Sequence, residues 1–583
     1  MERKVYEFIS KQLNDPIVER KTCAVSGEPF AIFQSDLDFY KKISPTFARK
    51  KYQILAPNIS PSTIMNNLLS FRNESNLYRR KCDLTWKYIL SVYSPDKPYK
   101  VYDQEAWRSD KWDALDYGCD FDFSKTFAEQ FKALQLQVPR VAMLWVNNEN
   151  SEYTNPSYSC KNCYLIFGSA INENCLYGKY LWHNNNCIDN LYLTNSELCY
   201  ECIDCEACYN LKFWHNCEHC SGSYFLKNCK NCQHCFGCAN LINGQYCLFN
   251  KALNKEEYNQ EIKNIYDGTY PSIQNAKSQF ADFCLKNPVK NLQTIASEKS
   301  FGDCLQHTKS CQMCYNVIKA ENGKYLWNCE WVNNSQHCFR YDTGDLGYQI
   351  ISGGGDDRTK GITLNNLFGS SVWNCSNVYY CDHIQSCNNC FACIGLKNKE
   401  YCIFNKQYIK SDYETLAGQL IDHMIATGER WKFFPSQMSC FGYNESIAME
   451  YFPLTKDEAI KKWFQRSEYE APFPKVERTL KADELPDIKN VTDDILQQAI
   501  ACEVSWKPFK ILKLELEFYK KNKLPLPRLH PDTRHEERNK QRPARNMYAR
   551  ICDKCWIEML SVYTPDSEFK VYCEACYNKE IYW

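Results

Sequence analysis

Between Ser159 and Lys251, small and apolar side chains recur at every third position. Cysteine holds fifteen of these positions: Cys160, Cys163, Cys175, Cys187, Cys199, Cys202, Cys205, Cys208, Cys217, Cys220, Cys229, Cys232, Cys235, Cys238 and Cys247. Ile166, Leu181, Leu193, Leu211, Trp214, Leu226 and Leu241 share the register, as do Ser169, Gly178, Asn172, Asn184 and Asn190. A helix repeats every 3.6 residues and a flat strand every two, so neither fits. A period of three predicts a tightly wound coil in which each short side sends one side chain inward and two outward. This is a parallel β-helix-like solenoid with thiols stacked in its core. Spacings of twelve from Cys163 to Cys199 predict a small coil, and spacings of eighteen from Cys199 to Cys235 a wider one.

The pattern returns downstream. Ser310-Cys-Gln-Met-Cys-Tyr matches Ser159-Cys-Lys-Asn-Cys-Tyr, Gly323-Lys-Tyr-Leu-Trp repeats Gly178-Lys-Tyr-Leu-Trp, and the register resumes at Cys375, Cys381, Cys387, Cys390, Cys393 and Cys402. Helical patterning follows each lobe, with Asn254 and Glu257 as a capping box after the first and a helix from Asp412 to Thr427 after the second. Ala459-Ile-Lys-Lys-Trp-Phe reads as a helix face and Thr492-Asp-Asp-Ile-Leu-Gln-Gln-Ala-Ile as a capped helix.

The two ends are also duplicated. Cys23-Ala-Val-Ser-Gly-Glu-Pro-Phe answers Cys502-Glu-Val-Ser-Trp-Lys-Pro-Phe, and Ser91-Val-Tyr-Ser-Pro-Asp answers Ser561-Val-Tyr-Thr-Pro-Asp. The expected fold is mainly β with helical connectors: two cysteine-cored lobes flanked by duplicated zinc-ribbon-like modules. The expected organisation is an N-terminal helix (1–20), a degenerate ribbon-like module (21–107), a connector (108–157) and a first lobe (158–250). A helical connector (251–300), a second lobe (301–405), a mixed connector (406–498) and a zinc-ribbon module (499–583) complete it. The connector's Asp110, Asp113, Asp116, Asp120 and Asp122 read as a solvated face, and Val138 to Trp145 as a strand entering the first lobe.

Composition sharpens this only locally. Lys+Arg and Asp+Glu are 70 each, so net charge announces no polyanion partner. The thirty-six cysteines would mean disulfides in a secreted protein, but the start Met1-Glu-Arg-Lys-Val-Tyr-Glu has no apolar signal region. A reducing cytoplasm with free thiols and no membrane span is the expectation.

Cys552-Asp-Lys-Cys555 and Cys573-Glu-Ala-Cys576 carry the strongest chemical signal. Two CxxC knuckles joined by a short aromatic hairpin are the pattern of a four-thiolate zinc site, closed to water and therefore structural, one per chain. The N-terminal copy keeps Cys82 but has Thr85, Asp103 and Ala106 at the other ligand positions. Cys502 with His530, and Cys23 with Ser26, are candidate remnants read as metal-free. The run Cys199, Cys202, Cys205, Cys208 invites an iron–sulfur or zinc reading. It lacks the ferredoxin terminal spacing and keeps the core register, so packing is the expected role. The glycine stretch from Ser352 to Asp357 lacks a Walker lysine and reads as an excursion loop.

Phe518 to Arg550 carries ten Lys/Arg against three acids, and Lys41 to Lys81 nine against one. Basic residues interleaved with aromatics beside a ribbon suit phosphate and stacking contacts. Lys41, Lys42, Arg79, Arg80, Arg534, Arg538, Arg542 and Arg545 are the candidate nucleic-acid residues, with RNA preferred over DNA. No nucleophile elbow, P-loop, HExxH or dinucleotide fingerprint is present in the sequence.

The triplet pattern resembles that of the smallest right-handed β-helices, such as beetle antifreeze proteins, without their threonine-rich face. The ribbon modules, with Cys440-Phe-Gly-Tyr-Asn-Glu-Ser-Ile-Ala-Met-Glu-Tyr-Phe-Pro-Leu-Thr-Lys, resemble a large uncharacterised family of cysteine-rich zinc-ribbon proteins widespread in uncultivated small-genome bacteria. That resemblance implies architecture and no activity. The leading expectation is a non-enzymatic scaffold binding nucleic acid through two basic modules. The alternatives are a protein–protein assembly scaffold gripping an acidic partner and, third, an enzyme working in a solenoid groove.

Overall fold

A computed structural model describes residues 1–327, 329–339, 342–349, 351, 353–354, 364–470, 472, 476 and 478–582. The chain is strand-rich, with many short strands and helical pieces.

The backbone gives the period of three a cause. Along the first cysteine-rich stretch every third residue is left-handed: Asn162, Asn174, Asn186, Asn210, Asn216 and Asn228 have φ between 52° and 55°. Each immediately precedes an inward position. Asparagine is the side chain that tolerates this region best after glycine, which explains its abundance here. Bulky residues take the same conformation where stacking supports them. Tyr180 stacks on Tyr192 at 4.6 Å and Phe213 on Phe225 at 4.7 Å.

Strands pair in parallel with a constant twelve-residue step, as in Leu191↔Ile203, Cys202↔Trp214 and Leu226↔Cys238. The sheet runs as one path from Trp145–Val146 to Cys247–Leu248, where an antiparallel turn to Lys251–Ala252 closes its edge. The step does not widen. Cys199, Cys217 and Cys235 are eighteen apart because they are one and a half steps apart, which corrects the expected larger coil. All fifteen thiols are buried in one cluster with Ile166, Leu181, Leu193, Leu211, Trp214 and Leu226. None of the thirty-six cysteines is in a disulfide.

The inward residue is chosen for more than size. Asn172 donates Nδ2 to the carbonyls two residues back and nine ahead, Ala170 and Leu181, at 2.9 Å each. Cys199 reaches the same relative carbonyls, Glu197 and Cys208, at 3.5 and 3.9 Å. A thiol is thus the smallest largely apolar side chain that still offers a donor to the carbonyls around the buried cluster. Outward asparagines add a second ladder, Asn216 to Asn228 to Asn240, at 2.8 and 3.1 Å.

The second ladder repeats this step, as in Leu305↔Val317 and Cys390↔Cys402. One step, Tyr348↔Leu367, is nineteen residues long and shifts the buried register by one. The glycine stretch 352–357 falls in this step. Apart from Gly353 and Gly354 it lies outside the described residues. The ladders begin at Trp145 and Thr294, earlier than the expected 158 and 301.

The connector before the first ladder differs from expectation. It contains a helix, Phe127–Gln137, with a Thr126/Glu129 capping box. Its Phe127 packs on Tyr380 of the second ladder, while helix Tyr270–Lys286 packs on the first through Phe280 and Phe225. Each lobe is therefore braced by a helix that precedes the other lobe or follows its own. Asp113 and Asp120 of the acidic run pair with Lys399 and Lys406 of the second ladder at 3.3 and 2.7 Å. Of the other predicted helices, Arg3–Leu13, Lys255–Ile265 and Lys410–Ala426 form, the expected Ala459–Phe464 face is helical only as far as Lys461, in Lys456–Lys461, and residues Asp493–Gln497 make only a 3₁₀ turn.

The terminal modules share one plan. Hairpins pair Tyr78↔Ser91 and Tyr548↔Ser561 in identical register. Val101–Tyr102 then lies parallel to Arg140–Val141 at the entrance of the first ladder, and Val571–Tyr572 parallel to Val289–Lys290 at the entrance of the second. Each module docks where a lobe begins. Among the described residues no helix is long and apolar enough to cross a membrane.

Candidate metal centre and the basic segments

Four knuckles of one design occur. In each, the first cysteine's N–H donates to a carbonyl five residues on, and the N–H four residues on donates back to its carbonyl. The bonds are Cys552 to Ile557 and Trp556 to Cys552 at 2.9 and 3.0 Å, with equivalents at Cys23, Cys82 and Cys502. In each, the facing half of the site lies at the start of a helix: Cys573 and Cys576, Asp103 and Ala106, Ser60 and Thr63, His530 and Thr533.

Only the last site assembles four thiols. The ligand atoms of Cys552, Cys555, Cys573 and Cys576 all lie within 4.8 Å of one another, and they form the one such group among the described residues. Cys555 Sγ and Cys573 Sγ are 3.7 Å apart. That is too long for a disulfide, at about 2.05 Å. It matches a tetrahedral edge of about 3.8 Å for metal–sulfur bonds of about 2.3 Å. Cys552 is buried, Cys573 and Cys576 half-buried, and Cys555 exposed.

Burial alone would raise the Cys552 thiol. Backbone N–H groups of Cys555, Cys573 and Lys554 outweigh it and bring the value down to about 6. Hydrogen bonding to Cys555, with burial second, pushes Cys576 up to about 12. One thiolate thus forms readily and resists a second nearby. A bound dication removes that repulsion, and the donor set then suits a closed tetrahedral metal site.

The three other sites are closed by hydrogen bonds. Thr63 Oγ1 lies 3.4 Å from Cys23 Sγ and donates to Ser26 Oγ at 3.4 Å. Thr85 Oγ1 donates to Asp103 at 3.1 Å while Asp103 N–H donates to Cys82 Sγ at 3.3 Å. Cys502 Sγ donates to Thr533 Oγ1 at 3.7 Å, and His530 Nδ1 accepts from the Asp532 N–H at 3.2 Å. Hydroxyls and a carboxylate thus span positions that ligands occupy in the last site.

The basic residues separate into two groups. Arg534 pairs with Asp189 and with Glu515 at 3.3 Å. Arg538 pairs with Asp189 at 2.9 Å and donates to the Tyr177 carbonyl at 3.2 Å. Arg542 pairs with Asp204 at 2.8 Å, and Arg545 lies over Trp327 at 3.5 Å and Tyr451 at 3.8 Å. Burial alone would raise the Asp204 carboxyl, but Arg542 and His215 hold it below its usual range. The assignment of these four arginines to nucleic acid is therefore corrected. They clamp the C-terminal module onto both lobes, because a desolvated guanidinium requires an anionic or aromatic partner. Arg80 is likewise buried, against Asp83 at 3.1 Å and the Tyr99 carbonyl at 3.2 Å. Lys41, Lys42 and Arg79 are exposed, with Arg79 bonded to the Tyr153 hydroxyl at 2.7 Å.

Arg534 and Arg538 are one turn apart on one face of helix Pro531–Lys540, while Arg542 and Arg545 lie beyond its end. The spacing of the first two could have marked a buried stripe. A second feature went unread. Trp86, Trp506 and Trp556 occupy the same left-handed knuckle position, at φ of 60°, 59° and 63°, and are 72%, 72% and 77% exposed. Neither the known protein families nor the curated proteins include a match to this chain.

Proposed function

We propose that this protein is a non-catalytic interaction scaffold. In this reading the two ladders are β-helix-like solenoid lobes, the C-terminal ribbon holds one structural zinc, and the ribbon tips take the partner. The twelve-residue step, constant in the first ladder and prevailing in the second, and the buried thiols support the solenoid; the four-thiol geometry supports zinc, which four soft thiolates favour. Thirty-six unbridged thiols fit a reducing compartment such as the cytoplasm. Membership of the cysteine-rich zinc-ribbon family belongs to the same proposal.

The observation that carries the reading is the three exposed indoles. The fourth knuckle has Gly27 at φ 71° in their place, so the turn itself asks only for a left-handed residue. A bulky side chain there costs about 1–2 kcal/mol, and exposing an indole adds nothing to the fold. Tryptophans placed at such a cost suit interface anchors. With five of the eight basic candidates committed internally, a protein partner is the better fit. Lys41, Lys42 and Arg79, with indoles able to stack on bases, favour nucleic acid as the second reading.

The test is a variant with Trp86, Trp506 and Trp556 all changed to glycine. It is expected to match or exceed the parent in thermal stability and to lose its co-purifying partner. Retained capture overturns the reading. Loss of the parent's partner on nuclease treatment transfers the proposal to nucleic acid.

A further inference from the structure

We infer that the groove beside the N-terminal ribbon hairpin is a docking site for a basic amphipathic helix of a partner protein. The inference narrows the partner of the scaffold reading.

The internal duplication sets the two ends of the chain side by side. Both hairpins have the same register, 470 residues apart, and both entrance strands correspond at an offset of 149. The offset holds into the first rung. Ser151 Oγ donates to the Glu149 carbonyl as Ser300 Oγ does to Glu298, at 2.8 and 3.0 Å. Residues of the two copies can therefore be matched as far as this rung, after which the register slips by one at Phe301/Gly302.

At the C-terminal hairpin, the helix Arg3–Leu13 covers this face. Its Val5, Tyr6 and Ile9 are buried in one core with Leu292, Leu560 and Val562, against which Ala549 packs. Its Phe8 meets Phe301 edge-on at 6.1 Å. The matching residues of the N-terminal copy are Met143, Leu90, Val92, Arg79 and Glu152. Except for Val92, they line an open groove of about 790 Å³, together with Ile89, Trp145 and Tyr153. That volume falls in the range of about 300–1,000 Å³ usual for ligand sites. The chain has one helix of this kind ahead of its first module, and that helix is spent on the C-terminal copy.

Charge selects the occupant. Where the C-terminal copy has Cys573, Ala575 and Phe301, the groove has Asp103, Glu105 and Glu152. Among the described lining residues the cation is Arg79, which is bonded to the Tyr153 hydroxyl, and Lys81 beside the groove lies over the Tyr88 ring at 5.5 Å. An acidic rim around an apolar floor accepts a helix with apolar side chains at i, i+1 and i+4, as in Val5, Tyr6 and Ile9, flanked by Lys or Arg. Residues 3–13 have that character themselves, with Arg3, Lys4 and Lys11 beside the buried face.

The probe is a fluorescent peptide of residues 1–15, titrated by anisotropy into the full-length protein. One peptide is expected to bind per chain. Charge reversal at the exposed rim, Glu105→Lys with Glu152→Lys, is expected to weaken binding at least tenfold, while metal content and circular dichroism stay unchanged. A peptide with Phe8→Pro, which cannot form the helix, is expected to lose binding. Absence of binding overturns the inference, as does binding that survives the charge reversal, which marks displacement of the resident helix at the C-terminal copy. Equal binding of the proline peptide overturns it in favour of an extended strand added to the hairpin edge. Sedimentation showing dimers of the unmodified protein assigns the groove to a second copy. Failure here, with the tryptophan variant still losing its partner, leaves the scaffold reading standing.

Discussion

Asp189→Ala should loosen the C-terminal module from the first lobe. Asp189 is fully buried and accepts from both Arg534 and Arg538. Alanine leaves two guanidiniums in a desolvated site. Arg534 keeps Glu515 and the Tyr519 hydroxyl, and Arg538 keeps the Tyr177 carbonyl and the charge of nearby Glu201. Breaking a buried pair from one side costs about 3–5 kcal/mol, and the surviving Glu515 contact places this case near the lower end, about 3 kcal/mol. At about 1.4 kcal/mol per tenfold, local opening becomes roughly a hundredfold more frequent. Hydrogen exchange of the amides in Pro531–Lys540 measures this directly, without assuming that so large a chain unfolds in one step. Asp120→Ala, which removes an exposed pair with Lys406, is the control and should leave the same amides unchanged. Protection lowered less than threefold in Asp189→Ala would falsify the clamp and return the four arginines to the surface role expected of them.

Elemental analysis should give one zinc per chain, and Cys573→Ser should abolish it and release the C-terminal ribbon, since structural zinc contributes on the order of 10 kcal/mol; two zincs would revive the Cys502 and His530 site. Thiol titration of native zinc-loaded protein should stop at about two groups, the exposed Cys119 and the half-buried Cys304, because the metal holds Cys555, Cys573 and Cys576, with the remainder reacting only on denaturation and chelation; general native labelling would refute the packed core. Burial raises Asp303 to about 6, so the folded state holds a proton there that the unfolded chain releases near 3.8, and stability is lost as pH rises between these values. Asp303→Asn, whose Oδ1 can still accept the Gln293 N–H, should match the parent near pH 4 and exceed it at pH 7 by roughly 1–3 kcal/mol of local opening free energy in hydrogen exchange of the amides in Phe301–Gln306; a variant weaker at pH 7 would show that the charged form is the stabilising one.

The sequence by itself determined what repeats and short-range chemistry can determine. A three-residue period with asparagine before so many inward positions forces a bend at each third residue, and the buried register follows. Two CxxC knuckles at ribbon spacing bring their thiols together locally, so the four-cysteine cluster was legible residue by residue. The hairpin duplication was legible because both copies keep the turn residues and the strands on either side. The tertiary structure decided everything that depends on a distant partner. The length of the pairing step was hidden because cysteines eighteen apart and twelve apart satisfy the same triplet register, and only the pairing of Cys202 with Trp214 chooses between them. The role of Arg534, Arg538, Arg542 and Arg545 was hidden because Asp189, Asp204 and Trp327 lie hundreds of residues away in the chain, where local charge cannot reveal them. A charge count sees ten cations and three acids. Folding supplies the missing anions, and whether a guanidinium faces phosphate or a buried carboxylate is settled by which surface the helix covers.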